Sequence, residues 1–347
     1  MEKALAIFEN AALGDAIGMP WEGMHPTQIM RYTKGKGITG PVAPRYFRNT
    51  SGNIIYEDVD GRIPYISVNS AEGDWSDDTK IKMPVAESIA HLGRLDLRDT
   101  ADRSMAVYLE EKDKPKTGGD THAFGYTTET AFQNLCDGIS PELSGVDSRN
   151  PGNGPLLKTD PIGLYMYVTG KYQEGLDHAE KVGRMTHLDP RSVAGGVVQA
   201  HAVYTLLSGC SRTEFLDYAY ESCAAYERSE EMRKKVLLKE RIDNVRKLFK
   251  GNPDANLEDA LHVTGNGWAV TRNYPLTLAA FRIYWENPRK GIIDLMNLGD
   301  DCDSTGAMFG ALSGAKDGLC LPFAWSKKLY GRDRLHRAAR GIYTLKI

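Results

Sequence analysis

The stretch GDDCDSTGAMFGALSGA, residues 299–315, combines several acids at the start of a helical pattern with a row of small residues along one face. The small residues recur at helical spacing: Ala307, Gly310, Ala311 and Gly314. The distance between two packed helices depends on the side chains at their contact, so a face without bulk lets this helix approach its neighbours closely. The stretch therefore predicts a tightly packed helix whose first turn carries acids.

Helical periodicity extends through most of the remaining chain. Apolar residues recur at helical spacing over 193–204 and again over 215–219, and the dominant class is therefore all-α. The Gly- and Pro-rich stretches are too short to mark a linker between domains. We therefore expect a single domain over residues 1–347.

One segment abandons this periodicity. The sequence NIIYEDVDGRIPYISV, residues 53–68, has two arms rich in β-forming residues. The arms, 53–58 and 62–68, meet at Asp60-Gly61, a pair typical of tight hairpin turns. We therefore expect a small β-hairpin insertion at about 41–70.

Composition limits the possible partners and compartments. Lys and Arg number 43 against 46 Asp and Glu, a net charge of -3, so the chain lacks the basic surface that nucleic acids or anionic membranes require. Its apolar runs are shorter than the roughly 18 residues that a membrane span needs. The five cysteines are odd in number and lack metal-type spacing, which favours reduced thiols. We expect a soluble, cytoplasmic protein without nucleic-acid or membrane partners.

A second acidic helix start lies in the segment GDWSDDT, residues 73–79, which precedes apolar residues at helical spacing. Acids and hydroxyls at helix starts ordinarily cap the helix. Here each start carries two or three acids with a hydroxyl, an all-oxygen set that suits Mg²⁺ or Mn²⁺ rather than zinc. Capping and metal binding both remain open, because a single metal site requires the two clusters to meet in space, and their separation of more than 200 residues does not show whether they do.

Together these segments resemble the ADP-ribosylglycohydrolases over nearly the whole chain. The resemblance rests on five motifs in the family's order: Gly14-Asp15-Ala16-Ile17-Gly18 with Glu22 beyond it, Ser76-Asp77-Asp78-Thr79, Gly152 to Lys158 leading to Pro161, Thr186-His187, and Gly299 to Ser304 with Gly310 to Ala315. It implies an all-α orthogonal helical bundle with a binuclear Mg²⁺ site, or Mn²⁺ in some members.

The resemblance also implies roles for individual residues. The expected metal ligands are Ser76, Asp77, Asp78, Asp301, Asp303 and Ser304. Glu22 is expected beside the scissile bond, and Asp77 and Asp303 are expected to share in catalysis. We assign Asp15 to structure, as a buried hydrogen-bond acceptor, and Gly18 as a helix-end residue.

The substrate is expected to lie against glycine-rich turns, whose backbone amides can receive a pyrophosphate without a basic surface. Gly152, Asn153 and Gly154 are expected to bind it, with Gly125 nearby. Gly118 and Gly119 are more simply explained as turn residues. A lone histidine is usually a core or capping residue, but the match at Thr186-His187 favours substrate binding by His187.

The resemblance implies a hydrolase that cleaves the glycosidic bond of an ADP-ribosyl group carried by a protein or a small molecule. Two alternatives stay open, a metal-dependent phosphohydrolase acting on a nucleotide pyrophosphate and a non-catalytic relative that binds ADP-ribose. The sequence departs from the family's common pattern at Ser76 and Ser304, at Asp300, and at Lys158-Thr159-Asp160. The last departure lies near the substrate turns, so the leaving group is left open. We expect the hairpin to contact the substrate beyond the ribose, and the alternative, a surface insertion without a role in binding, stays open.

Overall fold

Helices form nearly all of the regular structure in the computed structural model, which describes residues 1–41, 47–48, 54–55, 73–112, 124–148, 150–227 and 236–346. In chain order the helices are α1 (Glu2–Gly18), a 3₁₀ turn (Met19–Trp21), α2 (Pro26–Tyr32), α3 (Asp77–Leu92), α4 (Leu97–Lys112), α5 (Tyr126–Cys136), α6 (Gly154–Lys158), α7 (Asp160–Thr169), α8 (Tyr172–Arg184), α9 (Pro190–Leu207), α10 (Phe215–Tyr226), α11 (Leu238–Gly251), α12 (Leu257–Thr264), α13 (Val270–Ile283), α14 (Pro288–Met296), α15 (Cys302–Asp317), α16 (Phe323–Ser326) and α17 (Arg332–Tyr343). The all-α prediction is confirmed.

Helices α1 and α15 form the most extensive helix–helix contact in the described part of the chain. Their backbones touch at glycines: a Cβ added to Gly14 would lie 2.0 Å from the carbonyl oxygen of Gly306, and one added to Gly310 would lie 2.1 Å from that of Asn10. No side chain fits between backbones at this distance. The small-residue face predicted on α15 is therefore confirmed, and the surface that it meets is α1.

Asp15 joins α1 to the start of α3. It is fully buried, its Oδ1 accepts the backbone amide of Ser76 at 2.8 Å, and its Oδ2 accepts the amide and hydroxyl of Thr79 at 3.0 and 2.6 Å. These donors include amides at the start of α3 that lack partners within the helix. The prediction that Asp15 is a buried acceptor is confirmed.

Gly18 ends α1, as predicted, but with right-handed helical backbone angles. A Cβ at Gly18 would lie 2.4 Å from Cα of Asp303. Glycine is therefore required at this helix end for close approach to α15, not for a left-handed cap.

The described strands are β1 (Phe47–Arg48) and β2 (Ile54–Ile55), which pair antiparallel with Phe47 opposite Ile55. A β element therefore exists within the predicted insertion at 41–70, and its second strand belongs to the predicted arm 53–58. The partner strand precedes that arm in the chain. The other predicted arm, 62–68, and the Asp60-Gly61 turn lie outside the described residues, so their pairing and their contact with substrate stay predictions.

In the described ranges, no helix is both long and apolar enough to cross a membrane. The expectation of a single domain over residues 1–347 stays a prediction.

The close contact between α1 and α15 predicts that Gly310→Ala destabilises the protein. Alanine normally stabilises a helix relative to glycine, but here its methyl group would force the two backbones apart, at a cost of about 1–3 kcal/mol in the free energy of unfolding. Gly251→Ala is the matched control, because a Cβ at this helical glycine has no neighbour within 4 Å. Urea denaturation of both variants measures the difference. Equal stability of the two would contradict the contact.

Candidate active site

A cavity of about 410 Å³ lies where the starts of α3, α5, α6 and α15 converge. Its lining residues are Glu22, Asp77, Asp78, Ile81, Gly125, Tyr126, Thr127, Thr128, Gly152, Asn153, Gly154, Leu157, His187, Trp268, Asp301, Asp303 and Ser304. Apart from Ser76, all of the site residues predicted from the sequence line this one cavity.

Two backbone hydrogen bonds bring Glu22 to the start of α15. The amide of Gly23 donates to the carbonyl of Asp300 at 2.8 Å, and the amide of Asp300 donates to the carbonyl of Met24 at 2.8 Å. Asp300 adopts a positive φ of 59° at this junction, a conformation that aspartate tolerates better than most residues. Carboxylate oxygens of Glu22, Asp301 and Asp303 consequently lie within 4.8 Å of one another.

The two acidic clusters, which spacing could not connect, meet in the folded chain. The hydroxyl of Ser304 donates to Oδ2 of Asp78 at 2.7 Å and so links the start of α15 to the start of α3. Ser76 does not line the cavity. It is fully buried, and its side chain accepts the amide of Asp78 at 3.2 Å, which makes it the N-cap of α3. The capping explanation therefore fits Ser76, in addition to any role toward a metal.

Burial and the neighbouring negative charges raise the pKa values of these acids. Burial raises the pKa of Glu22 to about 8, with further contributions from the negative charges of Asp301 and Asp77. Burial raises the pKa of Asp77 to about 7 and that of Asp301 to about 6, and it holds the pKa values of Asp78 and Asp303 well above their usual range. No lysine or arginine is among the described residues lining the cavity. The cluster therefore carries uncompensated negative charge whenever its acids ionise.

This donor set fits a hard divalent cation. All of its side-chain ligand atoms are carboxylate or hydroxyl oxygens, and the buried Oδ1 of Asp303 has no hydrogen-bond partner in the described part of the chain. A buried carboxylate oxygen without a donor is costly unless a cation approaches it. Zinc prefers nitrogen and sulfur ligands, whereas Mg²⁺ and Mn²⁺ prefer oxygen.

Asparagine side chains fix the orientation of Asp301. Its Oδ2 accepts the Nδ2 groups of Asn153 at 2.7 Å and Asn273 at 2.8 Å. Asn153, which we predicted to bind substrate, therefore also connects the glycine-rich turn to the acidic cluster. Asn273 is fully buried in α13 and was not predicted. A lone asparagine within an apolar helix gave no signal of this contact.

The part of the cavity lining formed by the glycine turn and His187 carries no acidic side chain, lysine or arginine. Here the ring of His187 lies against the turn that begins α6: a Cβ at Gly152 would be 3.0 Å from Nε2, and one at Gly154 would be 2.7 Å from Cε1. Both glycines are therefore needed to admit the imidazole. The amide of Gly125 points to Oδ2 of Asp77 at 3.4 Å. The predicted turn at Gly118-Gly119 lies outside the described residues.

Several lining residues were not predicted. Two exposed aromatic side chains, Tyr126 and Trp268, stand at the cavity, 77% and 59% exposed. The hydroxyl residues Thr127 and Thr128 follow in the first turn of α5. Trp268 follows Gly265-Asn266-Gly267, and an aromatic residue in a glycine turn is the pattern that could have identified it.

In the presence of a chelator, Asp303→Asn is expected to raise the melting temperature relative to the unmodified protein, by a margin that widens with pH. An acid with a raised pKa keeps its proton in the folded state at pH values at which the unfolded state has already released it. Its contribution to stability is therefore complete at pH values below the unfolded pKa. That contribution is lost as pH rises toward the folded pKa, at up to about 1.4 kcal/mol per pH unit above about pH 4. Asparagine cannot ionise and escapes this loss.

Melting temperatures measured between about pH 5 and pH 8 test this prediction. Asp333→Asn, at an exposed acid in the first turn of α17, is the control and should show a margin that changes little with pH. A margin for Asp303→Asn as constant as that of the control would contradict the electrostatic account.

Comparisons with known proteins agree with this geometry. The model of the ADP-ribosylglycohydrolase family matches residues 2–346. ADP-ribosylhydrolase ARH3 of Danio rerio is 25% identical over 294 residues, covering 78% of this chain and 77% of the relative, and ADP-ribosylarginine hydrolase Tri1 of Serratia proteamaculans is 24% identical over 279 residues, covering 78% and 67%.

A solved structure, described as an ADP-ribosylglycohydrolase-related protein complex, has the same fold. It superposes with a TM-score of 0.64 at 23% identity and covers 100% of this chain and 98% of that one. Because the family model spans almost every residue, from α1 through α17, the chain belongs to the ADP-ribosylglycohydrolase family.

Proposed function

We propose that this protein hydrolyses the glycosidic bond between an ADP-ribosyl group and the protein side chain or small molecule that carries it. The observation that supports this most directly is the cavity, whose lining combines oxygen ligands with glycines and one histidine. The oxygen ligands suit a cation, and the glycine turn can receive a phosphate through backbone amides. Family membership supports the reaction class.

We propose two Mg²⁺ ions, or Mn²⁺, as the cofactors. The residues that would hold them are Asp77, Asp78, Asp301, Asp303 and Ser304, with Ser76 as a sixth candidate that acts at least as a helix cap. When bound, such ions supply positive charge that orients sugar hydroxyls and acidifies a coordinated water. The unpartnered Asp303 oxygen and the absence of a lining lysine or arginine in the described residues support this assignment.

Glu22 is proposed to move the proton. Cleavage at the ribosyl C1 passes through an oxocarbenium-like state, in which a leaving group must be protonated or a water deprotonated. A carboxyl group close to the scissile bond can do either. The backbone bonds that fix Gly23 and Met24 to Asp300 hold Glu22 beside Asp301 and Asp303, so its carboxyl group and the proposed ligands face the same part of the cavity.

The turn from Gly152 to Gly154 and His187 are proposed to bind the phosphate side of the substrate. An amide-rich turn and an imidazole add no positive charge, which fits a chain with net charge -3. Asn153 ties this turn to Asp301, so the phosphate side and the ribose side of the substrate would be held at a fixed separation. Such fixed positioning lowers the entropic cost of reaching the transition state.

Of the two relatives named above, only Tri1 has a name that specifies the residue carrying the ADP-ribose, arginine, although the identities of both to this chain are nearly equal. Overall identity therefore does not select the leaving group. A panel of ADP-ribosylated arginine, serine and small-molecule substrates, with and without Mg²⁺, addresses this question. Release of ADP-ribose supports the proposed function, whereas release of AMP would indicate pyrophosphate cleavage and replace it.

Glu22→Gln is expected to lower kcat by roughly 10² to 10⁴ while KM changes little. Glutamine keeps the size and hydrogen bonding of glutamate but cannot transfer the proton. Steady-state kinetics on whichever substrate of the panel is cleaved fastest provide the measurement, and calorimetry with Mg²⁺ checks that the variant still binds the ion. Turnover at the unmodified rate would remove Glu22 from the mechanism.

Asp301→Ala is expected to weaken divalent-ion binding roughly tenfold or more, because it removes a carboxylate that two asparagines hold in place. The adjacent Asp300→Gly is the matched control. It removes a neighbouring acid at a positive-φ position that glycine adopts without strain, and Asp300 is outside the proposed ligand set. Calorimetric titration with Mg²⁺ and Mn²⁺ compares them. Equal stoichiometry and affinity in both variants would refute the assignment of Asp301 as a ligand.

A further inference from the structure

A buried lysine stands behind His187, on the side away from the cavity. Lys158 ends α6, is 2% exposed, and directs its Nζ to the hydroxyl of Thr186. No carboxylate lies within ion-pair distance of this Nζ in the described residues. The nearby Asp160 instead pairs with Lys82 at 2.6 Å. An ammonium group without a counterion is costly to bury, so its position calls for an explanation beyond packing.

The hydroxyl of Thr186 also contacts the imidazole of His187. Its Oγ1 lies 2.9 Å from Nδ1 of His187 and 3.4 Å from the carbonyl oxygen of Gly183. A hydroxyl has one proton to donate, and a lysine ammonium can only donate. With Lys158 donating to Oγ1, the threonine proton goes to the closer acceptor, Nδ1. Nδ1 is then unprotonated, and the single proton of the neutral imidazole resides on Nε2.

The backbone around His187 leaves this arrangement little freedom. The amide of Val146 donates to the carbonyl of Thr186 at 3.1 Å, and the amide of Leu188 donates to the carbonyl of Val146 at 3.0 Å. On the cavity side, Gly152 and Gly154 press against the Nε2 edge of the ring. Nδ1 therefore faces Thr186 and Lys158, which together form the relay, and Nε2 faces the turn from Gly152 to Gly154.

We propose that Lys158 and Thr186 are positioning residues that hold His187 as the neutral Nε2–H tautomer, so that it donates a hydrogen bond to an anionic oxygen of the substrate. The inference rests on the proposed function for the identity of that substrate, a diphosphate-containing ribosyl compound. The Lys158, Thr186 and His187 contacts stand independently of it.

Electrostatics act in the same direction as the geometry. Burial, with a smaller contribution from the charge of Lys158, lowers the pKa of His187 to about 3. The remaining acid near the ring, Asp189, accepts two hydrogen bonds from the guanidinium of Arg191 and caps α9. A ring with so low a pKa stays uncharged through neutral pH, so its N–H donates without adding charge to the site.

The tautomer can be measured without any substrate. In protein labelled with ¹⁵N-histidine, the nitrogen chemical shifts separate protonated from unprotonated ring nitrogens, and His187→Gln identifies the His187 signals by their loss. We expect an unprotonated Nδ1 and a protonated Nε2 in the unmodified protein. Lys158→Met and Thr186→Val should mix the two tautomers or reverse them, whereas Thr186→Ser keeps the hydroxyl and should retain the original pattern.

Binding of ADP-ribose, measured by calorimetry on the same variants, gives the functional readout. Lys158→Met and Thr186→Val should weaken binding roughly tenfold, in line with losing one hydrogen bond to a charged group. Thr159→Val is the matched control, because this equally buried hydroxyl donates to the carbonyl of Gly196 and is not part of the relay. It should leave both the tautomer and the affinity unchanged.

The two readouts separate the two proposals. A protonated Nδ1 in the unmodified protein, or an Nε2–H tautomer that survives both Lys158→Met and Thr186→Val, overturns the relay. Failure of the unmodified protein to bind ADP-ribose, with the expected tautomer present, instead overturns the proposed function and leaves the relay standing. Lys158→Met removes a buried charge and should fold. If it does not, the Thr186→Ser and Thr186→Val pair carries the test alone.

Discussion

The contact between the backbones of α1 and α15 is the constraint on which the site depends. Glycines replace side chains along this contact, so the two helices lie closer than side chains would allow. The end of α1 is thereby held beside the start of α15. Two backbone hydrogen bonds also fix the loop carrying Glu22 to Asp300. Asp15 extends the arrangement to α3 by accepting its first amides. Three helix ends are thus fixed before any ligand is considered.

Fixing these helix ends concentrates negative charge. Carboxyl groups from separate helices share one cavity wall, and burial together with mutual repulsion raises their pKa values. The neighbouring helix starts provide partial positive charge, and the hydroxyl of Ser304 donates a hydrogen bond to Asp78, but these are worth far less than a full cation. The fold therefore accepts a local loss of stability in the absence of a cation, a loss typical of functional sites rather than of structural cores.

The sequence supported the helical class, the small-residue face of α15 and the acidic helix starts, because periodicity and residue type are local properties. It did not identify α1 as the partner of α15, and it could not show that acids more than 200 residues apart converge. Asn273 could not be identified because a single polar residue in a helix has no periodic signal, whereas Trp268 follows a glycine turn that could have indicated it. The strand at Phe47–Arg48 was missed because a two-residue strand depends on its partner rather than on its own pattern.

One of the departures from the family's common pattern, Lys158, is a buried lysine whose surroundings only the folded chain shows. Lys158 was noted from the sequence only as an unusual residue near the substrate turns. In the folded chain it lies beneath His187 and has a neutral hydroxyl as its partner. Burial lowers the pKa of Lys158 to about 7, so the chain places a buried basic group behind His187 and uncompensated acids elsewhere around the cavity. Asn153, in the turn next to His187, donates a hydrogen bond to Asp301. Any shift of this turn therefore also changes the hydrogen-bond donors available to the acids. The side chain of Asn153 therefore links the glycine turn to the acids. In the sequence alone, an asparagine at this position indicates only a turn.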